Sequence, residues 1–402
     1  MTAVQRVAVI GGGIAGPVVA TALQRAGISA TVYEAYPESS GGIGSSLALA
    51  PNGLAALGII GADQEVVRRA LPITSSRLSV GGHLVGETPR LTDLPPQQMI
   101  GRADLHQILH AAATSSGVRF EHGRRMVAVH EQTHGVRVDF SDGGSAEADI
   151  AIGADGVRSG LRTIIDPNAP GAGYTGLLSL AATIDAADLP AELVPPPGTM
   201  TFAFGRRAYY LYWTNADGSI TWGANLPSPH YLSFSDARTA PPLEWLGRLR
   251  TTYAGDVPGE LLAGRTTEEN LEVQGAIHIM PPVPHWHRGR MVLTGDAVHC
   301  PSNSTGQGAS LAIESAIELA RCLRDLGDPQ SAFAAYTTLR RDRVERITRR
   351  GARLNGSKAP NTLAQKMMRV MMPIMNKCMN AEKEFGPEQR FTIDWDAAVT
   401  SA

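Results

Sequence analysis

The chain has 402 residues, 43% of them hydrophobic and 18% charged, with a formal net charge of −2. That length supports one large or two ordinary domains, and the charge balance excludes a global field for nucleic acid or for an anionic membrane. Cys300, Cys322 and Cys378 are too few and too scattered for a disulfide framework or a CxxC metal pair, and no run approaches 18 apolar residues, so a cytoplasmic protein with no integral membrane segment is expected.

Arg6 to Ile10 reads as a short buried strand ended by glycine. Residues 14–26 read as a helix closed by Gly27, and Thr31-Val32-Tyr33 as the next strand. This βαβ unit begins a parallel sheet. Its opening run, Val7-Ala8-Val9-Ile10, is too short for a signal-peptide core. Residues 70–100 are rich in Pro, Gly and Ser and read as less regular. A helix is predicted over 103–116, then antiparallel strands over 118–152. Three further strands follow at 201–204, 209–213 and 220–224, the last two joined by a hairpin turn at Asp217-Gly218. Met291-Val292-Leu293 is another buried strand. Helices follow over 308–326 and 332–350, then a Met-rich helical tail over 360–381, interrupted by Pro373.

The fold class read from this order is α/β. It comprises a Rossmann-like nucleotide domain with an inserted β-sheet substrate domain and C-terminal helices. Residues 1–70, 100–175 and 272–350 are assigned to the nucleotide domain. Residues 71–99 and 176–271 form the substrate domain, and 351–402 a C-terminal helical segment.

The strongest local motif is Gly11-Gly12-Gly13-Ile14-Ala15-Gly16, a GxGxxG that follows a strand and opens a helix. Gly11 permits the tight turn, Gly13 leaves room for a pyrophosphate, and Gly16 lets helix and strand pack closely. The helix start supplies free N–H groups and a positive dipole end. Glu34, about 20 residues on, stands where an acid bonds a ribose hydroxyl. Gly171-Ala172-Gly173-Tyr174-Thr175-Gly176 matches the same pattern but has neither a preceding strand nor a following helix, so it reads as a loop. With one fingerprint only, a nicotinamide cofactor would have no Rossmann domain of its own. Two more segments stand out: Gly153 to Ser159 directly after a strand, and Leu293 to His299 followed by Gly306-Gln307-Gly308-Ala309-Ser310 at a helix start.

In this order and spacing, these motifs resemble the FAD-dependent aromatic hydroxylases typified by para-hydroxybenzoate hydroxylase, the class A flavoprotein monooxygenases. The likeness covers most of the chain and extends to Trp286, Gly289-Arg290 and Gly101-Arg102-Ala103-Asp104-Leu105. It implies FAD, with the pyrophosphate on Gly11, Gly13, Ile14, Ala15 and Gly16 and the adenosine ribose on Glu34 and Ala35. It also implies Arg102 near the flavin phosphate and ribityl chain, and Met126 and Val127 beside adenine. Asp155 and Gly156 would be shared between FAD and NAD(P)H, and Asp296 would bond the ribityl chain. Gly306, Gly308, Ala309 and Ser310 would face the flavin pyrimidine. The implied activity is oxygen insertion into an aromatic or alkene-containing small molecule via a flavin hydroperoxide, using NADPH or NADH and molecular oxygen. A related flavoprotein that reduces, dehydrogenates or cyclises its substrate without inserting oxygen is the alternative. A nucleotide-binding protein without redox activity fits the three motifs poorly, and no WxWxIP motif marks a halogenase.

Two departures from the family stand out. Asn303 occupies the position seven residues after Asp296, where the family usually has Pro. It either tunes the oxygen-reacting pocket and the reaction type or is neutral in a tolerant loop. The segment Ser39-Ser40-Gly41-Gly42-Ile43-Gly44 provides backbone amides where some members use an Arg.

No catalytic residue is identified outright. Candidates near the flavin are Asn303, and Tyr210, Tyr212 and Trp222 on the middle strands. The substrate is expected to be hydrophobic or aromatic and of a secondary-metabolite kind, with a monomer or homodimer as the assembly. His285 and His287 lack a third ligand, so no metal is expected. Neighbours His299 and Cys300 do not point at one another as a nucleophile pair would. The Arg340 to Arg353 stretch, with its interleaved acids, reads as a solvated helix. The Met-rich tail reads as core packing in preference to a cover for the substrate pocket.

Overall fold

The computed structural model describes residues 4–37, 46–355, 362–378 and 380–400. A six-stranded sheet runs in the order His287–Arg288, Met291–Leu293, Ile150–Gly153, Arg6–Ile10, Ser29–Tyr33, Arg119–Glu121. All neighbours are parallel except the first pair. Val7, Val9, Ile150, Ile152 and Val292 are buried because helices cover both faces, which is why these strands read as unbroken apolar runs. The predicted antiparallel stretch is therefore divided. Arg119–Glu121 and Ile150–Gly153 join the parallel sheet, and only Met126–Gln132, Gly135–Phe140 and Ser145–Ala148 form an antiparallel sheet of three. Alternation identifies a strand but carries no information about its partner's direction.

A seven-stranded sheet has the order Leu271–Ile279, Gly173–Ile184, Ile220–Pro227, Tyr209–Thr214, Thr199–Phe204, Ser75–Val80, His83–Glu87. The hairpin at Asp217-Gly218 is present, with Gly218 at φ +87°. Residues 70–100 are more regular than their composition suggests. They hold Leu71–Ile73, Ser75–Val80, His83–Glu87 and Gln97–Gly101, and their Pro and Gly residues mark the bends between short strands. Leu271–Ile279 pairs with Gly173–Ile184, so the expected boundary at 271/272 cuts off a strand of this sheet. The second GxGxxG leads into the Gly173–Ile184 strand, not into a helix.

The helices Pro242–Tyr253 and Gly259–Arg265 cover one face of the large sheet. Trp245, Leu249, Tyr253 and Leu262 pack there against Leu180, Tyr210, Tyr212 and Trp222. Gly259 N–H donates to Tyr210 Oη at 3.2 Å, and Trp222 Nε1 donates to Thr266 Oγ1 at 3.1 Å. Tyr210, Tyr212 and Trp222 are thus core residues beneath a helix pair. The opposite face carries Met200, Phe202, Leu211, Trp213 and Gly223. A choice of face one residue out of step selects the wrong side chain at every position.

The Gly308–Asp325 helix is buried along nearly all its length. Glu314 in its middle is fully buried and pairs with Arg340 and Arg343 of the Pro329–Asn355 helix, at 2.6 and 2.9 Å. Asn52 Nδ2 donates to the same carboxylate at 2.6 Å. Burial pushes the Glu314 carboxyl up, but the two guanidiniums outweigh it and hold the group below its ordinary range. The Arg-rich stretch is therefore not simply a solvated surface, since one side of that helix buries two cations. The tail helix Thr362–Cys378 continues through Pro373. Met368 and Met372 fix it to Leu78, Val80, Phe202 and Phe204, which offsets the backbone hydrogen bond that Pro lacks.

Replacing Glu314 with Gln leaves two buried guanidiniums without a counter-ion. The expected loss is about 3–5 kcal/mol of unfolding free energy, read from urea denaturation. An unchanged midpoint would show that the pair is not structural.

Candidate cofactor site

The N-terminal strand and helix meet at a glycine turn whose shape is set by close approach. Gly11 sits at φ +103°, and a Cβ there would lie 2.5 Å from Ala154 O. A Cβ on Gly16 would run into Gly11 O, so helix and turn touch backbone to backbone. At Gly13 the same test meets nothing within 4 Å, which leaves open space above the loop. The helix Ala15–Arg25 begins with no side-chain cap, so its first N–H groups have no side-chain acceptor. Glu34 Oε2 accepts from Gly12 N–H at 2.7 Å and Oε1 from Tyr36 N–H at 3.0 Å. His106 Nε2 contacts Gly12 O at 2.8 Å from the Arg102–Ser115 helix. Gly123 N–H donates to Tyr36 O and Arg124 N–H to Glu34 O. Ala35 is thereby brought beside the chain that leads into Met126 and Val127, and Val127 is exposed.

Two more loops close on this one. Asp155 Oδ2 accepts from Leu161 N–H at 3.1 Å, while Oδ1 is buried without a partner. Burial raises the Asp155 carboxyl, against the pull of Ser159 and the backbone N–H groups. Arg162 donates to Ala297 O at 2.8 Å and to Val157 O at 3.0 Å, tying the 153–159 loop to the Asp296 loop. A Cβ on Gly295 would meet Ala15 Cβ at 2.8 Å and Ala312 Cβ at 3.5 Å. The Asp296 loop therefore lies between the starts of the Ala15–Arg25 and Gly308–Asp325 helices. Burial lifts the Asp296 carboxyl to about 6, and Arg102 pulls the other way.

The second helix start is also uncapped by a side chain. Gly306 is left-handed and ends the short turn Asn303–Thr305, which Ser302 Oγ caps by accepting from Ser304 N–H at 3.2 Å. Ser302 thus supports this turn, and Asn303 itself is exposed. Ser310 is fully buried and its Oγ accepts from Ala50 N–H at 3.1 Å. Gln307 and Asn52 pair at 2.9 Å. Burial lowers His299 to about 3, so it is neutral, and its Nε2 meets Ser315 Oγ at 2.8 Å.

The structure brings Gly11 to Gly16, Glu34, Asp155, Gly156, Asp296 and Gly306 to Ser310 to one side of the parallel sheet. Tyr210, Tyr212 and Trp222 are not among them. The expected amides of residues 39–44 lie outside the described residues. His106, Arg162, Asn52, Gln307 and Glu314 hold the loops in place but form no motif, because their partners are distant in sequence. Two uncapped helix starts, open space over Gly13 and an unpaired Asp155 oxygen together fit a dinucleotide such as FAD. Among the described residues, no group of three His, Cys, Asp or Glu could hold a metal ion, and no helix is long and apolar enough to cross a membrane.

Comparison with known proteins agrees with this geometry. The profile of the FAD binding domain family matches residues 5–209 and 275–351. The 3-amino-4-hydroxybenzoate 2-monooxygenase PtmB3 of Streptomyces platensis is 35% identical over 365 residues, 86% of each chain. The 6-hydroxynicotinate 3-monooxygenase of Pseudomonas fluorescens is 28% identical, over 86% of this chain and 89% of its own. The fold matches the crystal structure of Klebsiella pneumoniae HpxO complexed with FAD and uric acid. The TM-score is 0.79 at 22% identity, over 96% of this chain and 95% of that one.

The glycines of the loop separate by test. Gly13→Ala keeps the fold of the FAD-free protein but lowers bound FAD at least about tenfold, whereas Gly16→Ala lowers the melting temperature itself. Equal FAD content in Gly13→Ala and wild type would remove the pyrophosphate from that space. Asp296 gives a pH signature. Burial pushes its native carboxyl up from the ordinary 3.8 to about 6, so the native state binds the proton more tightly. Its contribution to stability is full below about pH 4 and is lost as pH rises through 6. Asp296→Asn should flatten that slope in the unfolding free energy of FAD-free protein, by on the order of 3 kcal/mol across the window.

Proposed function

The chain belongs to the FAD binding domain family, and from that premise we infer an FAD-dependent monooxygenase that places one oxygen atom on an aromatic small molecule. The observation that carries this reading is the Asp296 loop held between two uncapped helix starts. The balanced reaction is substrate–H + O2 + NAD(P)H + H+ giving substrate–OH + NAD(P)+ + water. FAD, when bound, supplies the transfer of two electrons from NAD(P)H to oxygen. The protein's own residues do the rest. The Gly11–Gly16 turn and the Ala15–Arg25 helix start receive the pyrophosphate, and Glu34 with Ala35 and residues 126–127 receives the adenosine. Asp296 and Arg102 hold the ribityl region. The N–H groups at Gly308, Ala309 and Ser310 present a positive helix end that favours negative charge on the ring.

The aromatic substrate belongs on the sheet face opposite Tyr210. Leu211, Phe202 and Gly223 share that face, with Met99 and Trp213 on one side and Met368 and Met372 on the other. Apolar walls there exclude water from the reacting oxygen. The relatives' substrates, an aminohydroxybenzoate and a hydroxynicotinate, support a single substituted ring. Oxygen insertion is favoured over the oxygen-free alternative, since both named relatives are monooxygenases. A reducing cytoplasm suits the free thiols Cys300 and Cys322, and the assembly is read as a monomer or homodimer.

The test is anaerobic titration of the FAD-loaded protein with NADPH and NADH, with and without hydroxybenzoates and hydroxypyridines, followed by labelled oxygen. Bleaching of the flavin band accelerated by one aromatic, with label in the product, is expected. Gly223 has only ordinary contacts, with Leu211 Cγ at 3.8 Å. Gly223→Leu therefore keeps FAD content and abolishes the acceleration, whereas Tyr210→Phe alters neither. A substrate response lost in Tyr210→Phe and kept in Gly223→Leu would reverse the assignment of faces. A product without label would return the oxygen-free alternative.

A further inference from the structure

Strand pairing puts Ser179, Ala181, Tyr209, Leu211, Gly223 and Asn225 on the face of the large sheet turned away from its two helices, because directly opposite residues share a side. Ala48, Gln97 and Met99 share one face of the small sheet, and Ala48 and Met99 pack there against Met200 and Trp213. Most polar groups of this region are already bonded. Trp213 Nε1 donates to Asn215 Oδ1 at 2.9 Å, Asn215 Nδ2 to Thr221 Oγ1 at 2.8 Å, and Ser179 Oγ to Gln274 Oε1 at 2.8 Å.

Two amides stand apart. Asn225 is 5% exposed and Gln97 is half-buried. Among the described residues neither side chain has a hydrogen-bond partner. Neither is among the polar atoms sealed from water, so both reach open space. Gln97 Nε2 lies 4.0 Å from a Cβ built on Gly306, at the turn before the Gly308–Asp325 helix. Asn225 is two residues along its strand from Gly223, where a side chain has room.

The side chains named on these two walls carry no charge. Arg369, from the tail helix, spends its guanidinium on Val80 O and Gly81 O at 3.1 and 2.8 Å. Glu272 is exposed and pairs with Ala181, which puts a negative charge at the edge of the face. A carboxylate brought into this space would lose its hydration with no cation to replace it. An amide offers donors and an acceptor, which match hydroxyl, carbonyl or ring-nitrogen groups.

We propose that the substrate is a neutral aromatic ring bearing such groups and no carboxylate, and that Asn225 and Gln97 determine this preference. It thereby differs from the aminohydroxybenzoate and hydroxynicotinate of the relatives, which are both carboxylates. The proposal rests on the substrate face assigned above.

The probes are two pairs alike in shape and different in charge: 3-hydroxybenzamide with 3-hydroxybenzoate, and 2-hydroxypyridine with 6-hydroxynicotinate. Binding to the oxidised, FAD-loaded protein is followed by the change in flavin absorbance, which needs no turnover. Each neutral member is expected to bind tighter than its acid by on the order of tenfold or more. Asn225→Leu and Gln97→Met should each weaken the neutral member about threefold to tenfold at unchanged FAD content. Asn225→Lys should reverse the preference by supplying the missing cation. Gln97→Met lies at a half-buried position and reads the site even if the Asn225 variants do not fold. The proposal is overturned if the acids bind as tightly as their neutral partners, if no member of either pair binds, or if both amide variants keep the neutral affinity. Neutral rings that bind but take up no labelled oxygen with NADPH or NADH would refute the monooxygenase reading and leave this one standing. Labelled hydroxylation of the acids alone would do the opposite.

Discussion

The Gly308–Asp325 helix can lie buried beside the cofactor loops only because Glu314, at its centre, is met by two guanidiniums. Arg340 and Arg343 both reach it from the following helix, and Asn52 completes the set. A buried ion group of this kind is weak evidence for stability, because its desolvation is costly. It does fix one geometry. Arg343 also donates to Pro387 O and Glu388 O, so the same cation sets the last helix as well. Arg340 donates to Ser315 Oγ, which meets His299, and Asn52 pairs with Gln307 just ahead of the helix start. One chain of hydrogen bonds thus runs from the helix core to both ends of the 299–307 segment.

That chain fixes the shape of the 299–307 segment. Backbone amides do not reorient independently, so their positions must be fixed from behind. Arg162 does so for the 153–159 and 295–297 loops, and Ser310 for the strand at Ser46–Leu49. The close contacts at Gly11, Gly16 and Gly295 leave no space for a side chain between these elements. The electrostatics follow from the same packing. His299 is kept neutral by burial beside Arg340, and Asp296 has a raised carboxyl that only Arg102 opposes.

The large sheet divides labour between its faces. One is sealed by two helices over Tyr210 and Trp222, with the polar tips of both rings already bonded. The other is bounded by the small sheet through Met99 and by the tail helix through Met368 and Met372. The tail therefore packs as expected of it, with Met368 and Met372 against Leu78, Val80 and Val85. Its outer side, with Met367, Val370, Met371 and Ile374, is exposed.

The residues alone determined the parts of this protein that depend on neighbours in the chain. A strand, a glycine turn and a helix within 16 residues announce a dinucleotide loop, and the spacing of the later Gly-Asp and Gly-Gln-Gly motifs identifies the flavin family. Those signals are local because N–H groups at a helix start belong to consecutive residues. Tertiary structure decided what depends on register and on distant partners. Tyr210 and Leu211 alternate on one strand, and which of them is sealed from solvent depends on the helices Pro242–Tyr253 and Gly259–Arg265, far later in the chain. Arg340 and Glu314 sit in stretches that look like ordinary helix surface, and only the packing of one helix on another turns them into a buried pair. Strand direction between 118 and 152 was equally hidden, because an alternating pattern is the same whichever way the neighbouring strand runs.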